Sequence, residues 1–456
     1  MKRAKNKWQA WIIILALFPV FGMAQSGGNS DTMKISRHEF TVQQAIDYAK
    51  KNNVQVKNAL LNVQIQEQTN REITSAALPQ INGSGSVTYN AKLPVSLVPA
   101  EFFGGQPGTF EKIAFGLKYN ATGGIQLNQL LFDGQVFVGL QARESVLKFQ
   151  QKNVEVTEEL IKTNIYKIYY QLVVSKQQIE LLDANIERFE KLLKDTRIIY
   201  ENGFAEKLDI DKVSVALTNL HTEKIKALNL VDNGYLGLKL LMGMPVNEEL
   251  VLTDTLNYEQ VKDGVLEPGI FNYADRKEYQ YAELGIKLNQ YNVRRYKLSR
   301  IPTLSLNGYY NKNAQRDKFD LLKKGDWFDI SAITLNLNIP IFNGFSTNAK
   351  IQKARLELQQ SLNQREYLKI SIDNDIQVAK NNFRSAISTL DFQKKNMELA
   401  ENVYQQTKKK YEAGTGSQTE INTAQTDLKT AQTNYITALY DAVIAKVDFL
   451  KATGKL

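Results

Sequence analysis

The sequence predicts a mainly α-helical chain that also carries four membrane strands and is built as an internal tandem duplication. Three observations lead to this fold class. Two long stretches without Gly or Pro place apolar residues every three or four positions, four shorter stretches alternate apolar with polar residues, and short motifs of the first half recur in the second. The first periodicity is that of a helix and the second that of a strand, so each half contains both.

The duplication rests on four motif pairs that occur in the same order in both halves. They are Leu78-Pro79 with Ile301-Pro302, Phe132-Asp133-Gly134 with Phe342-Asn343-Gly344, Tyr200-Glu201-Asn202-Gly203 with Tyr411-Glu412-Ala413-Gly414, and Met242-Gly243 with Thr453-Gly454. The two later pairs share one offset, as a tandem duplication leaves. We therefore expect a first repeat over 25–265 and a second over 266–456.

Long helices dominate both predicted repeats. We expect helices over 40–76, 138–202 and 206–243 in the first repeat, and over 267–299, 345–413 and 418–453 in the second. The longest two would each span roughly 90–100 Å at 1.5 Å per residue. Their narrow apolar stripe, including Ile165, Leu172 and Phe189 in one and Phe383, Leu390 and Tyr404 in the other, predicts coiled-coil packing instead of a globular core.

Each long helix is expected to end at a glycine, Gly203 or Gly414, because glycine readily adopts the left-handed backbone of a helix C-terminus. A new helix is predicted to start within a few residues. Tight turns, Phe204-Ala205 in the first repeat and Thr415-Gly416-Ser417 in the second, would therefore reverse the chain into antiparallel hairpins.

Strands are predicted over 80–92, 115–131, 302–311 and 328–340, about the length of a membrane-spanning strand. Their polar residues are mostly uncharged Asn, Ser, Thr and Gln, which is typical of a water-filled pore wall. The alternative is a soluble antiparallel sheet with one wet face. Membrane barrels need about eight strands or more, so four strands in lipid require other copies of the chain. This reasoning predicts a homo-oligomer and leaves its copy number open.

The first 24 residues predict a secretory signal peptide. Lys2, Arg3, Lys5 and Lys7 precede a short apolar run that ends in Gly22-Met23-Ala24. The run is shorter than the roughly 20 apolar residues of a membrane-spanning helix, which disfavours the alternative of an anchor. We expect cleavage between Ala24 and Gln25, so that the signal is removed from the mature chain.

Composition argues against several classes of function. The chain has no cysteine and two histidines, His38 and His221, neither with neighbouring ligands, so we expect no metal site and no cofactor. The net charge of +9 includes the four positive charges of the signal, and the remainder is a poor argument for nucleic-acid binding. No group of residues supplies a base or nucleophile in a catalytic arrangement, so no enzyme is predicted.

Several of these segments together resemble the TolC family of outer-membrane efflux proteins. The resemblance rests on the start Phe40-Thr41-Val42-Gln43-Gln44-Ala45 with Asn52-Asn53 after it, the Leu-Pro strand starts, the Phe-x-Gly turns after the second and fourth strands, and the Tyr-x-x-Gly helix tips. Arg276-Lys277-Glu278-Tyr279 stands where the family opens its second half, although Lys277 replaces the usual Pro. The similarity extends from about Phe40 to Gly454.

The resemblance implies a homotrimer in the outer membrane of a Gram-negative bacterium. Four strands per subunit would complete one 12-stranded barrel in the outer-membrane lipid, above a periplasmic tunnel of twelve helices. The helix tips would close as an iris and dock on a periplasmic adaptor, itself joined to an inner-membrane pump of the RND or ABC type. The implied function is a passive exit duct for efflux or type I secretion. The alternative is a periplasmic coiled-coil adaptor or scaffold.

The same resemblance implies a periplasmic gate at the tips. Asp209 would pair with Tyr411, and Glu420 would contribute to a ring of acids around the axis. Thr423 stands where the family often has a second axial acid, and Gly416 where a gating Arg can occur, so the lock is expected to differ. The alternative for both acids is a first-turn carboxylate favoured by the helix dipole.

The segment from Leu93 to Phe110 joins the first two predicted strands and is unusually apolar for an outer loop. It is expected either to pack on itself or to contact the mouth of the barrel, lipid or another surface protein.

Overall fold

The computed structural model of the chain describes residues 37–256, 258–262, 271–320 and 325–456. The predicted signal peptide and its cleavage position lie outside the described residues, as does the predicted boundary between the repeats near 265. Over the described ranges, every helix is too short or too polar to cross a membrane.

The described residues of the first half of the chain form five strands and four helices. In chain order these are β1 (Arg37–Phe40), α1 (Val42–Asn52), α2 (Val54–Ser75), β2 (Gln80–Tyr89), β3 (Val95–Pro99), β4 (Phe110–Ala114), β5 (Tyr119–Phe132), α3 (Gly134–Glu201) and α4 (Lys207–Met242). A short 3-10 turn, Ala100–Phe103, follows β3.

β6 (Glu249–Leu252) and α5 (Tyr258–Lys262) link the two halves. The second half repeats the order of the long elements, and its described residues form α6 (Lys277–Leu298), β7 (Thr303–Arg316), β8 (Phe328–Asn338), α7 (Ser346–Glu412) and α8 (Gln418–Ala452), with a 3-10 turn at Tyr273–Asp275 before α6. Each half therefore places two long strands and a long helical hairpin after a shorter helix.

The single helix predicted over 40–76 is wrong, because the chain breaks at Asn53. That residue has an extended ψ of 131° and caps α2 by accepting hydrogen bonds from Gln55 N–H (2.7 Å) and Val56 N–H (3.2 Å). Its amide donates to the Leu241 carbonyl, 2.6 Å away. That carbonyl lies in the last turn of α4, where carbonyl groups have no N–H donor within the helix. The break thus joins the start of the chain to the end of the first hairpin.

The helix predicted over 267–299 starts at Lys277 instead. Arg276 before it is extended, and its buried guanidinium donates to the Ala452 carbonyl at 3.0 Å, in the last turn of α8. Glu278 pairs with the same guanidinium at 3.2 Å. Satisfying a buried charge in this way fixes the extended backbone of Arg276, so the helix begins only after it. The strand predicted over 115–131 is likewise shorter at its start, beginning at Tyr119.

The long helices form two antiparallel hairpins, α3 with α4 and α7 with α8. α3 has 68 residues and α7 has 67, so each is about 100 Å long at 1.5 Å per residue. The predicted coiled-coil stripe is confirmed over most of its length: Ile165, Leu172, Leu182, Ile186, Phe189, Ala379, Phe383, Leu390 and Tyr404 are buried. Tyr200 lies outside it, with 42% of its surface exposed.

The largest core lies halfway along the hairpins, where α1, β1, β6 and α5 surround the long helices. Tyr169 of α3 is fully buried here, and its hydroxyl donates to the Phe40 carbonyl (2.8 Å) and accepts from Asp254 N–H (3.2 Å). Burial raises the pKa of Tyr169 to about 12, so the phenol stays neutral and able to donate. We call this region the waist.

The segment after β6 is fastened to α7 at the waist. Tyr258 of α5 donates to the carboxylate of Asp391, and Lys262 Nζ lies 2.7 Å from the same carboxylate. Lys394 Nζ lies 3.9 Å from the centre of the Tyr258 ring. Val261 is buried in the core between these groups. The link between the two repeats is thus attached to the hairpin of the second repeat.

The four long strands form one antiparallel sheet in the order β2-β5-β7-β8. Paired positions run from Gln80 opposite Asn128 to Tyr89 opposite Tyr119, and β7 pairs with β8 from Thr303 opposite Asn338. The sheet is open, so β2 and β8 each have a free edge. Two further pairs are separate: β1 with β6 in parallel at the waist, and β3 with β4 beyond the outer end of the sheet.

We expect Asn53→Ala to destabilise the protein by about 2–4 kcal/mol, the sum of a lost helix cap and an unpaired Leu241 carbonyl. Thermal unfolding of the detergent-purified protein followed by circular dichroism measures this. Asn58→Ala, an exposed asparagine on the same helix, is the matched control and should change stability by less than about 0.5 kcal/mol. Equal effects of the two substitutions would contradict the role of the break.

Candidate pore wall and helix-tip gate

The four-stranded sheet has one polar face and one apolar face. Positions that pair across strands point to the same side, so the register assigns the faces. The polar face carries Asn82, Ser84, Ser86, Thr88, Asn120, Thr122, Gln126, Asn128, Asn307, Asn311, Asn313, Thr334, Asn336 and Asn338. Uncharged hydrogen-bonding groups of this kind line a water-filled path without binding one ion tightly.

Gly124 makes room on this polar face. A Cβ at this position would lie 2.1 Å from Asn311 Oδ1 and 2.3 Å from the Tyr310 carbonyl, so any side chain would displace the neighbouring strand. The glycine lets the Asn311 amide cross the sheet surface, which keeps the face polar where β5 and β7 meet.

The apolar face is exposed along its length. Ile81, Val87, Ile125, Ile333, Leu335 and Leu337 are each more than half exposed. Aromatic pairs lie at the end nearest the helices, Phe132 with Phe137 and Phe342 with Phe345, each with ring centres 5.5 Å apart. Toward the other end, Lys312 pairs with Asp329 at 3.1 Å. An apolar band between aromatic rings and charges is the surface of a strand in lipid.

The two edge strands lack partners. Every residue of β2 is exposed, and so are all but one of β8, whereas the central β7 is largely half-buried. A free edge leaves one row of backbone donors and acceptors unpaired, and this row borders the apolar face. Lipid cannot satisfy these groups, so the sheet is incomplete as a single chain.

The helix tips are formed as the glycines predict. Gly203 has φ +80° and Gly414 has φ +74°, both left-handed. After Gly203, Phe204 N–H donates to the Ile199 carbonyl at 3.0 Å, and after Gly414, Thr415 N–H donates to the Lys410 carbonyl at 3.0 Å. These bonds satisfy the last carbonyls of α3 and α7 and close each helix.

The tips present their turns to solvent. Phe204 is 86% exposed, Thr415 and Ser417 are exposed, and Ala205 and Gly416 are half-buried. Phe204 thus presents a large apolar side chain to solvent at the first tip.

Both predicted acids occupy the first turn of a returning helix. Asp209 accepts from Glu206 N–H at 3.3 Å and lies 3.8 Å from Lys212 Nζ. Glu420 accepts from Ser417 N–H at 3.4 Å, while Ser417 Oγ accepts from Glu420 N–H at 3.1 Å, a capping box. The capping interpretation of these acids therefore holds within one chain, and it leaves a second role in the assembly open to test. Thr423 lies on an exposed position one turn further.

Tyr411 is half-buried, and within one chain its hydroxyl donates to Gln418 Oε1 instead of Asp209. Burial raises the pKa of Tyr411, a hydrogen bond with Thr196 lowers it in part, and the nearby Asp195 and Asp209 carboxylates raise it further. The structure thus places Asp209 near Tyr411 without a hydrogen bond between them. The sequence predicts the turn at which Gln418 lies, but its hydrogen bond with Tyr411 was not predicted.

A polar network that sequence reasoning missed joins the two hairpins above the tips. Arg188 Nη2 donates to Asn185 Oδ1 (2.7 Å) and Gln432 Oε1 (3.3 Å), and Asn185 Nδ2 donates to the same Gln432 oxygen at 3.3 Å. The Arg188 guanidinium also lies 5.6 Å from the centre of the Tyr404 ring. Asn185 is only 2% exposed, so this is a buried polar contact between α3 and α8.

Below the network, α3, α7 and α8 enclose a groove of about 300 Å³. Tyr404, Tyr411 and Leu192 form its walls, and Lys408 lies at its rim. Gln425 contributes to the lining with its side-chain oxygen buried and unpaired among the described residues. The groove opens beside the tips, so the gate residues and this groove form one region.

Comparison with known proteins identifies the family that the chain matches. The family described as "Outer membrane efflux protein" matches residues 45–244 and 274–455. The outer membrane efflux protein BepC of Brucella suis is 22% identical over 427 residues, covering 91% of this chain and 86% of that protein. The outer membrane protein TolC of Vibrio cholerae is 20% identical over 335 residues, covering 73% and 76%.

A solved structure shares the fold. The CmeC outer membrane channel of Campylobacter jejuni superposes with a TM-score of 0.75 at 18% identity, covering 91% of this chain and 85% of that one. The likeness extends over the sheet and both hairpins, so it confirms the predicted fold class of long helical hairpins joined to a strand domain.

We expect Gly203→Ala and Gly414→Ala each to cost about 1–2 kcal/mol, because a left-handed backbone is strained for alanine. An added Cβ meets nothing within 4 Å at either position, so the cost is conformational only. Amide hydrogen exchange in the tip peptides should become at least about fivefold faster. Gly237→Ala, at an open site inside α4, is the control and should stabilise its helix by about 0.5–1 kcal/mol. Unchanged exchange at both tips would show that the left-handed turns are not required.

Proposed function

Because this chain belongs to the outer membrane efflux protein family, we propose that it is the passive exit duct of a tripartite efflux or type I secretion system. An inner-membrane pump of the RND or ABC type would deliver substrates through a periplasmic adaptor. The chain is an outer-membrane protein of a Gram-negative bacterium, and its helical hairpins extend into the periplasm. No step in this function requires a cofactor or a catalytic residue of the chain.

The open sheet carries this proposal. Its polar face suits a pore, its apolar face suits lipid, and its two edge strands lack partners. β2 and β8 run in opposite directions, so β2 of one copy can pair antiparallel with β8 of the next. Three copies would give 12 strands, within the range of membrane barrels. The three pairs of hairpins would then continue the barrel as a tunnel of twelve helices.

The alternative of a periplasmic adaptor or scaffold has less support. It offers no reason for a sheet that is polar on one face and lipid-like on the other. It also predicts no likeness to outer-membrane channels over both halves of the chain.

We place the adaptor at the helix tips, 202–207 and 413–418, because the long helices reverse there at the end farthest from the sheet. Exposed Phe204 and the adjoining groove give this end an apolar contact surface beside charged groups such as Lys408 and Glu412. Surfaces of this mixed kind suit a helical partner that docks and releases. Gly203, Gly414 and the turns that follow them would set the shape of the docking surface.

The gate is proposed for the same end. In the trimer, three copies of Glu420 near the axis would attract cations to a narrow opening. Asp209 and Tyr411 belong to different hairpins, so a bond between them would hold the hairpins closed. The Tyr411 hydroxyl can exchange its Gln418 partner for a carboxylate, which forms the stronger hydrogen bond.

The assembly is tested by native mass spectrometry of the detergent-extracted protein from the outer-membrane fraction. We expect three copies of the mature chain, which separate into single chains only after denaturation. The physical reason is that every free strand edge is paired only in a closed ring. A stable monomer in detergent would contradict both the barrel and the duct.

The gate is tested in planar lipid bilayers. Tyr411→Phe combined with Asp209→Ala should raise conductance, because the bond that it removes is worth about 1.5–3 kcal/mol when shielded from water. Glu420→Ala should instead reduce cation preference and block by multivalent cations. Glu201→Ala, an exposed acid at the end of α3, serves as the control and should leave both properties unchanged. Wild-type conductance and selectivity in the first two variants would place the gate elsewhere.

A further inference from the structure

The β3–β4 hairpin, residues 95–114, stands beyond the outer end of the sheet and is held rigid by its own hydrogen bonds. Ala100 N–H donates to the Thr109 carbonyl at 2.9 Å, and Gly105 N–H donates to the Ala100 carbonyl at 2.9 Å. Glu101 accepts from Gly108 N–H at 3.1 Å. Ala100 itself is only 3% exposed, so the tip has a small interior. The apolar loop of the sequence is therefore an ordered structure with a fixed surface.

One face of this hairpin is mostly apolar and is uncovered, with the exposed Lys112 as its charged member. The register pairs Val95 with Ala114, Leu97 with Lys112 and Pro99 with Phe110, which places these residues on one side. Val95, Leu97 and Phe110 are 56%, 64% and 63% exposed. A rigid surface with this much exposed apolar area is typical of a contact site.

A second uncovered apolar patch lies on β8, on the polar face of the sheet. Phe328 pairs with Asn313 and Ile330 with Asn311, so both apolar side chains lie on a face that is mostly Asn, Ser, Thr and Gln. Phe328 is 45% exposed and Ile330 is 39% exposed. Both lie at the outer end of the strand. We call these two residues the β8 patch.

Strand order decides which β8 patch the hairpin can reach. The hairpin continues directly from β2 and β5, because Tyr89 pairs with Tyr119 and Asn90 N–H donates to the Lys118 carbonyl at 2.8 Å. Within its own chain, β8 lies three strands from β2 and two strands from β5, roughly 14 Å and 10 Å across the sheet at about 4.8 Å per strand. When β2 pairs with β8 of the next copy, that copy's patch lies one strand away, at the same outer end.

We propose that the β3–β4 hairpin of one subunit packs its apolar face on the β8 patch of the next subunit, as a clasp over each subunit boundary. The proposal rests on the proposed barrel closure between β2 and β8. Since the patch lies on the polar, pore-facing side, the hairpin leans inward over the rim. Three hairpins would then narrow the outer mouth while covering three apolar patches that otherwise face the pore.

The clasp is tested by disulfide or bismaleimide crosslinking, for which the chain has no cysteine of its own. One tagged copy carries Leu97→Cys and a second, differently tagged copy carries Phe328→Cys, and the two are co-expressed. A crosslinked pair that carries both tags is expected only if the contact is between subunits. A second co-expressed pair, Ser84→Cys with Ala332→Cys, reports β2–β8 closure in the middle of the strands.

The two pairs separate the possible failures. If the strand pair crosslinks and the hairpin pair does not, the clasp is wrong while the barrel stands. If neither crosslinks, the barrel closure itself is wrong. Quenching of a fluorophore on Leu97→Cys by brominated lipid, without a crosslink, would show that the hairpin contacts the bilayer and would overturn the clasp.

Removing the apolar face gives an independent readout. Leu97→Ser combined with Phe110→Ser should reduce the fraction of trimer that survives warming in dodecyl sulfate severalfold. Phe102→Ser, at the hairpin tip and 79% exposed, is the matched control and should leave that fraction unchanged. Equal loss in both variants, or no loss in either, would contradict the assigned face.

Discussion

The structure depends on the requirement that backbone groups in hydrocarbon be paired. A strand inside one chain meets this requirement through its neighbours, and β5 and β7 do so here. β2 and β8 cannot, because each borders one strand of its own chain only. An unpaired backbone group in lipid costs several kcal/mol. The summed cost of a whole row of such groups exceeds the usual free energy of unfolding of a domain. In the proposed barrel these edges are paired by neighbouring copies, so association of the subunits would be part of folding.

The long helices pack against one another through a narrow apolar stripe. A stripe such as Leu182, Ile186 and Phe189 buries one narrow side of α3 and leaves the rest of the surface free. A helix of this kind can have water on two sides, which a wall between tunnel and periplasm requires. The α3–α8 network adds specificity to this packing. Asn185 and Arg188 of α3 both donate to Gln432 Oε1 of α8, so these two bonds favour one register between the hairpins.

Much of this architecture can be predicted from local patterns. Gly203 and Gly414 predict both turns, because the left-handed backbone conformation at the end of a helix favours glycine. Alternation in 303–316 and 328–338 assigns both faces of the sheet. The break at Asn53 could not be predicted, because nothing in 42–75 forbids one helix and only the distant Leu241 carbonyl selects the extended residue. The Tyr411–Gln418 bond depends on side-chain rotamers, and the α3–α8 network depends on contacts more than 240 positions apart. Periodicity encodes neither. The β3–β4 pairing was hidden by prolines that suggest an irregular loop.

The waist attaches other segments of the chain to the long hairpins near the middle of their length. Tyr169 fastens the chain start and the inter-repeat segment to α3, and Asp391 holds the same segment on α7 through Tyr258. Tyr169 lies near the middle of α3, which runs from Gly134 to Glu201. Each arm on either side is therefore about 50 Å long at 1.5 Å per residue. With arms of this length, a tilt of about 5° at the waist displaces a helix tip by about 4 Å, and the sheet end by as much in the opposite sense. In the proposed channel, lateral pressure of the bilayer on the barrel would therefore change the opening at the helix tips.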